Sequence, residues 1–516
     1  MGLSQSRRGG TASAALLGFP RMSPNQRLLD PMCSPASSPL LCRKQVPEAS
    51  ARKDVRQDIS GGAASPSVRE AAQVLKKPEA SLFSSWCVLT NTILGVGMLS
   101  LPWAVSTVGL GLGVAMLLGA GVLAALALHF LARMAVTLTG GSQGPAEVSF
   151  YGACMEVAPP ARFVVDAAIA VKCFGVATSY LQVIGQLSAS LLAQLARSYL
   201  PISAFLTEIG LLTSSEDSAV VPERLRRFMV LLAVLVIAPV VFHKRITKTS
   251  SQNLVAICAW LYVAALVIGY SLGFLPLPEE EEALLQGSPW QFLPPASMDK
   301  WMVASTLPIF IFSFTCHQNM FAIATELSGR SVARLDAILT AAIGTGMALY
   351  CAAGIGGYIR FGSRLNANFM LNLPQGPPVL LGEVWAIIAV VFTYPLQLHP
   401  CRRSLTILVS AYMGRFLERR EDRILRRILT VCILTGTTVL AVSIKDLGLT
   451  LAFVGAVGSN TVVLIMPAFL FLRMYRTERG FLWYVALFIF CIGCVILPAC
   501  LTAVVRKAVL GPSPSH

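Results

Sequence analysis

The sequence predicts an all-α integral membrane protein with eleven transmembrane helices. Three observations carry that prediction. Of 516 residues, 55% are hydrophobic and 13% charged, against a charged share of about 25% in an ordinary soluble domain. The apolar residues fall in long blocks, each near or above the roughly 20 residues that cross a bilayer as a helix. Short polar loops separate the blocks, and their charge alternates between basic and acidic.

Residues 1–80 are rich in Ser, Pro, Gly, Arg and Lys and lack periodicity. They read as a disordered cytosolic tail. No apolar h-region stands near the start, so no signal peptide is expected. Met1-Gly2-Leu3 opens a short myristoylation pattern. The membrane domain then occupies 81–506, with spans expected at 83–105, 108–133, 162–193, 227–243, 253–275, 302–325, 335–358, 381–410, 427–444, 448–472 and 481–504. A short non-cytosolic tail, 507–516, follows.

Loop charge sets the expected orientation. Lys244, Arg245 and Lys248, then Arg330 and Arg334, the run Arg402–Arg427 and the turn 473–479 form one set. Ser214–Asp217, the glutamates at 279–282 and the polar stretch 361–380 form the other. The excess of Lys and Arg puts the first set, and with it the N-terminus, in the cytosol. Arg224, Arg226 and Arg227 run against the pattern. The net charge of +15 is accounted for by these cytosolic loops, and no basic, aromatic-studded soluble domain calls for a nucleic-acid partner. The 13 cysteines lie mostly in apolar segments, so no loop disulfide is expected, and Cys491 and Cys494 read as core packing in the last span.

Polar groups inside spans are the informative exceptions. In span 1, Gly95 and Gly97 bracket Val96 five residues before Pro102. They suit an unwound helix whose freed N–H groups meet a carboxylate, or equally a tight helix packing. In span 3, Lys172 lies near mid-membrane, and Asp166, six residues earlier, is off its face. Such a lysine calls for an interhelical or functional role.

Span 6 holds Ser313-Phe314-Thr315-Cys316-His317-Gln318-Asn319. These polar positions cover every face of a helix, so the segment must be enclosed, line a cavity or unwind. No second ligand stands at the spacing a metal site needs, so no metal is expected, and His317 reads as a structural polar group. In span 8, Thr393 stands beside Pro395. The pair fits either a hydroxyl ligand for a small cation or a kink with Thr393 bonded to its own helix. His399 and Arg402 lie toward the expected cytosolic end. No hydrolase or metalloprotease signature and no phosphate-binding loop occurs, so no enzyme activity is expected. Eleven spans exclude a seven-helix receptor, and broken helices with scattered polar islands fit alternating access better than a continuous pore.

Together these motifs resemble the amino acid/auxin permease family, which includes the sodium-coupled neutral amino acid transporters. N-T-I-L-G-V-G-M-L-S-L-P-W-A is similar to the family's opening Asn-x-x-x-Gly-x-Gly-x-Leu stretch, and F-S-F-T-C-H-Q-N-M-F-A-I-A-T-E-L to its sixth-span segment. K-C-F-G-V-A-T-S-Y and Y-P-L-Q-L-H-P-C-R-R-S-L look most like the vacuolar branch. The resemblance covers about residues 80–505.

It implies a leucine-transporter-like fold, with spans 1–5 and 6–10 as inverted repeats, spans 1 and 6 unwound, and one further helix. It implies an amino-acid substrate held by Gly95, Val96 and Gly97 with Ser313, Phe314 and Cys316, and Tyr180 closing the pocket. It implies a cation site built from the Asn91 and Leu94 carbonyls with the Thr393 hydroxyl. Two departures stand out. Lys172 replaces a neutral residue of many sodium-coupled members, where it could stand in for a coupling ion, and the family's extracellular cysteine pair is absent. Both turn the expectation from sodium coupling at a plasma membrane toward proton coupling at a vacuolar or lysosomal one, with the ion, H+ or Na+, left open. No other cofactor is expected, and the protein is expected to act as a monomer in the bilayer. A non-transporting amino-acid sensor of the same fold is the alternative, which binding without flux would distinguish.

Overall fold

The computed structural model describes residues 80–138, 150–211, 222–242, 249–279, 282, 290–294, 299–413 and 419–510. Nearly all of the tail with Gly2, the whole 212–221 loop with its acidic stretch, the basic turn 243–248, Glu280 and Glu281, residues 414–418 of the basic run and 511–516 of the C-terminal tail lie outside the described residues. The rest is mostly helical. Among the described residues, ten helical stretches are long and apolar enough to cross a membrane, and a bent pair makes eleven. They follow the expected order. An isolated parallel bridge, Ala80 to Leu327, ties the start of span 1 to the end of span 6.

Span 1 is two helices, Leu82–Ile93 and Val96–Val108, bent by 50°. Ser81 caps the first by accepting from the Ser84 N–H. Span 2 is Leu110–Leu138, span 3 Arg162–Ser198, span 4 Glu223–Phe242 and span 5 Thr249–Ser271. Span 6 comprises Lys300–Ser313 and Met320–Glu326, with a 3-10 turn at His317–Asn319 between them. Span 7 is Val332–Phe361, span 8 Pro377–Tyr412, span 9 Arg419–Ser443 and span 11 Phe481–Leu510. Span 10 runs from Leu447 to Met474 through two π-helical turns, Gly455–Ser459 and Thr461–Ile465. The breaks thus fall in the first and sixth spans, five apart, where two five-span repeats would each place theirs.

Spans 3 and 8 form the most extensive helix pairing, and one apolar core runs through the bundle. Span 10 is drawn hard against it. A Cβ on Gly455 would overlap the Pro308 carbonyl of span 6, and one on Gly458 would stand 2.7 Å from Lys172 Cα on span 3. Close backbone approach of this kind is how membrane helices gain packing energy, since lipid is as apolar as a side chain.

Two sequence readings change here. Cys491 and Cys494 are exposed on the outer face of span 11 and are not core residues. A span apolar all round carries no period to say which face turns inward. Span 8, as expected, is one helix through Pro395 and Pro400, with Thr393 bonded back to its own helix. Two short helices outside the spans, Phe150–Val157 and Leu200–Glu208, escaped a reading tuned to 20-residue blocks. The anomalous arginines also find a local cause. Arg226, 4% exposed, donates to the Ala441 and Val442 carbonyls at 2.8 and 2.9 Å and to Glu223. It therefore caps the C-terminus of span 9, where a cation is favoured, and Arg227 also pairs with Glu223.

Candidate functional site

The two breaks face each other. In span 1 the first helix ends at Ile93, Leu94 and Gly95 are extended, and the second helix starts at Val96. A helix start leaves its first N–H groups without a carbonyl one turn back, so the N–H groups of Val96 and Gly97 sit at a positive helix end. The two glycines divide the roles that the sequence left open. Gly95 sits in the break, and a Cβ there would meet nothing within 4 Å. Gly97 lies within the restarted helix, where a Cβ would stand 3.0 Å from Ser313 Oγ and 3.3 Å from Ser313 Cα. Span 1 thus packs directly on the point where span 6 stops.

Span 6 stops at Ser313 because the next residues leave helical geometry. Phe314 and Cys316 have φ/ψ of −100°/19° and −132°/2°. Ser313 Oγ and Thr315 Oγ1 donate back to the Ile309 and Ile311 carbonyls at 2.9 and 3.3 Å. Side-chain donors that compete for helix carbonyls loosen the turn they sit on.

Three side chains, one from span 7 and two from the span 6 break itself, stabilise the broken geometry. Tyr350 of span 7, fully buried, places its hydroxyl 2.6 Å from the Ile93 carbonyl and 3.2 Å from the Ser313 carbonyl. One O–H thereby serves the last carbonyls of both half-helices, and its ring stacks edge-on against Phe314. Asn319 Nδ2 donates to Thr92 Oγ1 at 2.8 Å, joining span 6 to span 1. His317, fully buried, donates from Nε2 to the Ala124 carbonyl of span 2 at 3.2 Å.

Between the breaks lies a small cavity of about 20 Å³, room for water rather than for an amino acid. Gly95, Val96, Gly97 and Ser313 line it from the breaks, and Lys172 and Tyr180 from span 3. Lys172, 3% exposed, donates to Gln397 Oε1 of span 8 at 3.3 Å. Tyr180 shares this wall with Gln397. Asp166, remote from this cavity, accepts from Ser404 at 3.0 Å.

The other sequence-derived candidates stand outside the lining. Phe314 and Cys316 are fully buried behind it, and Asn91, Leu94 and Thr393 are buried beside it. The Thr393 hydroxyl donates to the Ala389 carbonyl at 2.8 Å, which leaves its lone pairs for an incoming donor or cation. His399 donates nothing to the cavity and instead meets Arg402 at 2.7 Å, with Arg402 bonded to Thr430 of span 9. Sequence reasoning missed Tyr350 and Gln397. Gln397 was visible as a polar residue two positions past Pro395, but a tyrosine in an apolar span gave no signal.

Comparison with known proteins agrees with this architecture. The family model described as transmembrane amino acid transporter protein matches residues 78–506. Vacuolar amino acid transporter 5 of Schizosaccharomyces pombe is 32% identical over 395 residues, 76% of this chain and 84% of the relative. Vacuolar amino acid transporter 6 of Saccharomyces cerevisiae is 28% identical over 475 residues, 83% of this chain and 99% of the relative. Sodium-coupled neutral amino acid transporter 7 of Homo sapiens is 26% identical over 403 residues, covering 76% and 79%. With the family model spanning the whole membrane bundle and both helix breaks inside it, the chain belongs to the transmembrane amino acid transporter protein family, and is a multi-pass membrane transporter rather than an enzyme.

Proposed function

We propose that the protein is a secondary active transporter of amino acids, acting as a monomer in a vacuolar or lysosomal-type membrane with its N-terminus in the cytosol. The observation that carries this reading is the pair of broken helices facing one cavity with a buried lysine amine in its wall. The substrate carboxylate is received at the start of the helix Val96–Val108, where N–H groups and the helix dipole both favour an anion. The substrate ammonium faces the carbonyl ends of Leu82–Ile93 and Lys300–Ser313. A cavity of water size must widen to admit this ligand, so the geometry is a closed one, and substrate enters when the broken spans swing away from spans 3 and 8.

Coupling runs through the same wall. Lys172 can carry a proton next to Gln397, and the Asn91 and Leu94 carbonyls with Thr393 offer oxygen ligands to sodium. The proton is the favoured ion, because a cationic lysine already supplies positive charge in this wall. The test is uptake of radiolabelled amino acids by proteoliposomes holding the full chain, under an imposed pH gradient and, separately, a sodium gradient. Accumulation driven by either supports the reading. No flux of any common amino acid under both conditions would overturn it.

A further inference from the structure

A second buried ionisable site lies away from the cavity. Glu383 of span 8 is 1% exposed. Ser190 Oγ donates to its Oε1 at 2.8 Å, and Gln194 Nε2 stands 3.4 Å from its Oε2 and 3.1 Å from Ser190 Oγ. Among the described residues it has no ion pair. Fourteen residues of helix separate it from Gln397, about 21 Å along the axis at 1.5 Å per residue. It stands six residues after Pro377, about 9 Å from the start of span 8, near the end of span 3 that leads to the 212–221 loop.

We propose that Glu383, Ser190 and Gln194 form a proton-binding site in the non-cytosolic half of the protein, loaded from that side during transport. The inference rests on the proton-coupled reading above. A carboxylate enclosed by a membrane bundle needs a cation, a proton or a strong hydrogen-bonding shell, and here the partners are one hydroxyl and one amide. That shell serves both states. Ionised, the carboxylate accepts from Ser190 and Gln194. Protonated, it donates its new O–H to Ser190 Oγ, while the Ser190 hydroxyl turns to a carbonyl one turn back on its own helix. Binding one proton forms one O–H bond and removes one negative charge, with no other covalent change. Ser190 is half-buried and Arg197, further along span 3, is exposed, so the path from the carboxyl to that surface is short.

The charged and titratable groups of the packed neighbours are otherwise engaged. Arg197 of span 3 donates to Gln375 at 3.1 Å. Arg226 of span 4 is held by Glu223 and two carbonyls. Tyr262 of span 5, whose ring lies beside Gly382, donates to the Pro378 carbonyl at 3.0 Å. Span 9 presents Thr437 to Tyr394 of span 8, and Arg426 of that span pairs with Asp422. On span 8 itself, His399 and Arg402 bond each other some four to five turns away.

The test uses the full chain in proteoliposomes and a radiolabelled mixture of the common amino acids. Two fluxes are read: exchange at symmetric pH, and accumulation driven by a pH gradient. Glu383→Gln is expected to exchange amino acids but to lose gradient-driven accumulation. Ser190→Ala removes a hydrogen bond that is stronger to the ionised carboxylate than to the neutral acid, so the pH midpoint of driven uptake should move up by about one unit. Driven accumulation at wild-type level in Glu383→Gln overturns the site while leaving proton coupling intact. Should that variant not fold, an unmoved midpoint in Ser190→Ala overturns it equally. A wild-type protein that exchanges amino acids and ignores the pH gradient overturns proton coupling, and this site with it.

Discussion

Tyr350→Phe removes one oxygen from the interior and leaves the ring. The ring's edge-on contact with Phe314, 5.4 Å between centroids, is retained. What is lost is the donor shared by the Ile93 and Ser313 carbonyls, both on residues no more than 3% exposed. A buried acceptor left without its partner costs about 1–3 kcal/mol. The cost falls on the closed geometry, in which the two half-helix ends meet, and falls less on any conformation that lets water reach them. Expressed as a shift between conformations, that is about 5- to 150-fold. Substrate binding that requires the closed geometry should weaken by a factor in that range. The assay is equilibrium binding of a radiolabelled amino acid to purified protein, with thermal unfolding measured in parallel. A Phe variant that unfolds at lower temperature but binds with wild-type affinity would refute the reasoning, because Tyr350 would then be a packing residue with no hold on the site.

Lys172→Gln keeps a partner for Gln397 and removes the titratable amine, so the pH profile of uptake should flatten, and a profile identical to wild type counts against a coupling role. Gly95→Ala and Gly455→Ala should separate site from scaffold. The first adds a methyl to the cavity wall where a Cβ meets nothing within 4 Å, so it should fold at the wild-type melting temperature and bind substrate poorly. The second drives a methyl into the Pro308 carbonyl and should lower thermal stability by about 1–3 kcal/mol or more, and equal melting of both variants would contradict the packing argument. A double-mutant cycle of Asn319→Leu and Thr92→Val should return a coupling of about 0.5–3 kcal/mol in stability, and strict additivity would mean the 2.8 Å contact contributes nothing.

The spans were legible because a bilayer leaves one cheap solution for a long apolar block, and the block lengths fixed their number and order. The break in span 6 was legible for a similar reason: polar residues on every face cannot coexist with a helix in lipid. The break in span 1 was only half legible. Gly-Val-Gly is compatible with unwinding and with tight packing, and the structure uses Gly95 for one and Gly97 for the other. Span 10 carries no such signal. Its π-helical turns at Gly455–Ser459 and Thr461–Ile465 sit in a stretch whose apolar residues occupy all faces, so its period is uninformative. Tyr350 and Gln397 were hidden for a different reason. Their roles depend on which helices face one another, and that is decided by backbone approach at Gly97, Gly455 and Gly458 rather than by any local pattern.

That dependence explains how the site is selected within two breaks that expose many polar groups at once. Each helix end strands several N–H or C=O groups, and membrane interior tolerates few of them unmatched. Tyr350 of span 7 takes up a defined subset, the Ile93 and Ser313 carbonyls, and Asn319 of span 6 ties the two broken spans together through the Thr92 hydroxyl. These contacts all fall on the ends of helices that run into the breaks or on the junction between them. The start of Val96–Val108 faces the cavity instead, with Gly95 offering no side chain in front of it. Tyr350 thus takes one lone pair of each of these carbonyl ends, whose second lone pairs stay open to an ammonium, while the amide end is left to a ligand's anionic group. An anionic group is what that end favours, and an amino acid carries one on every member of the class whatever its side chain. Discrimination among amino acids must then come from the walls, where Lys172, Val176 and Tyr180 of span 3 and Phe312 of span 6 set the shape the side chain meets.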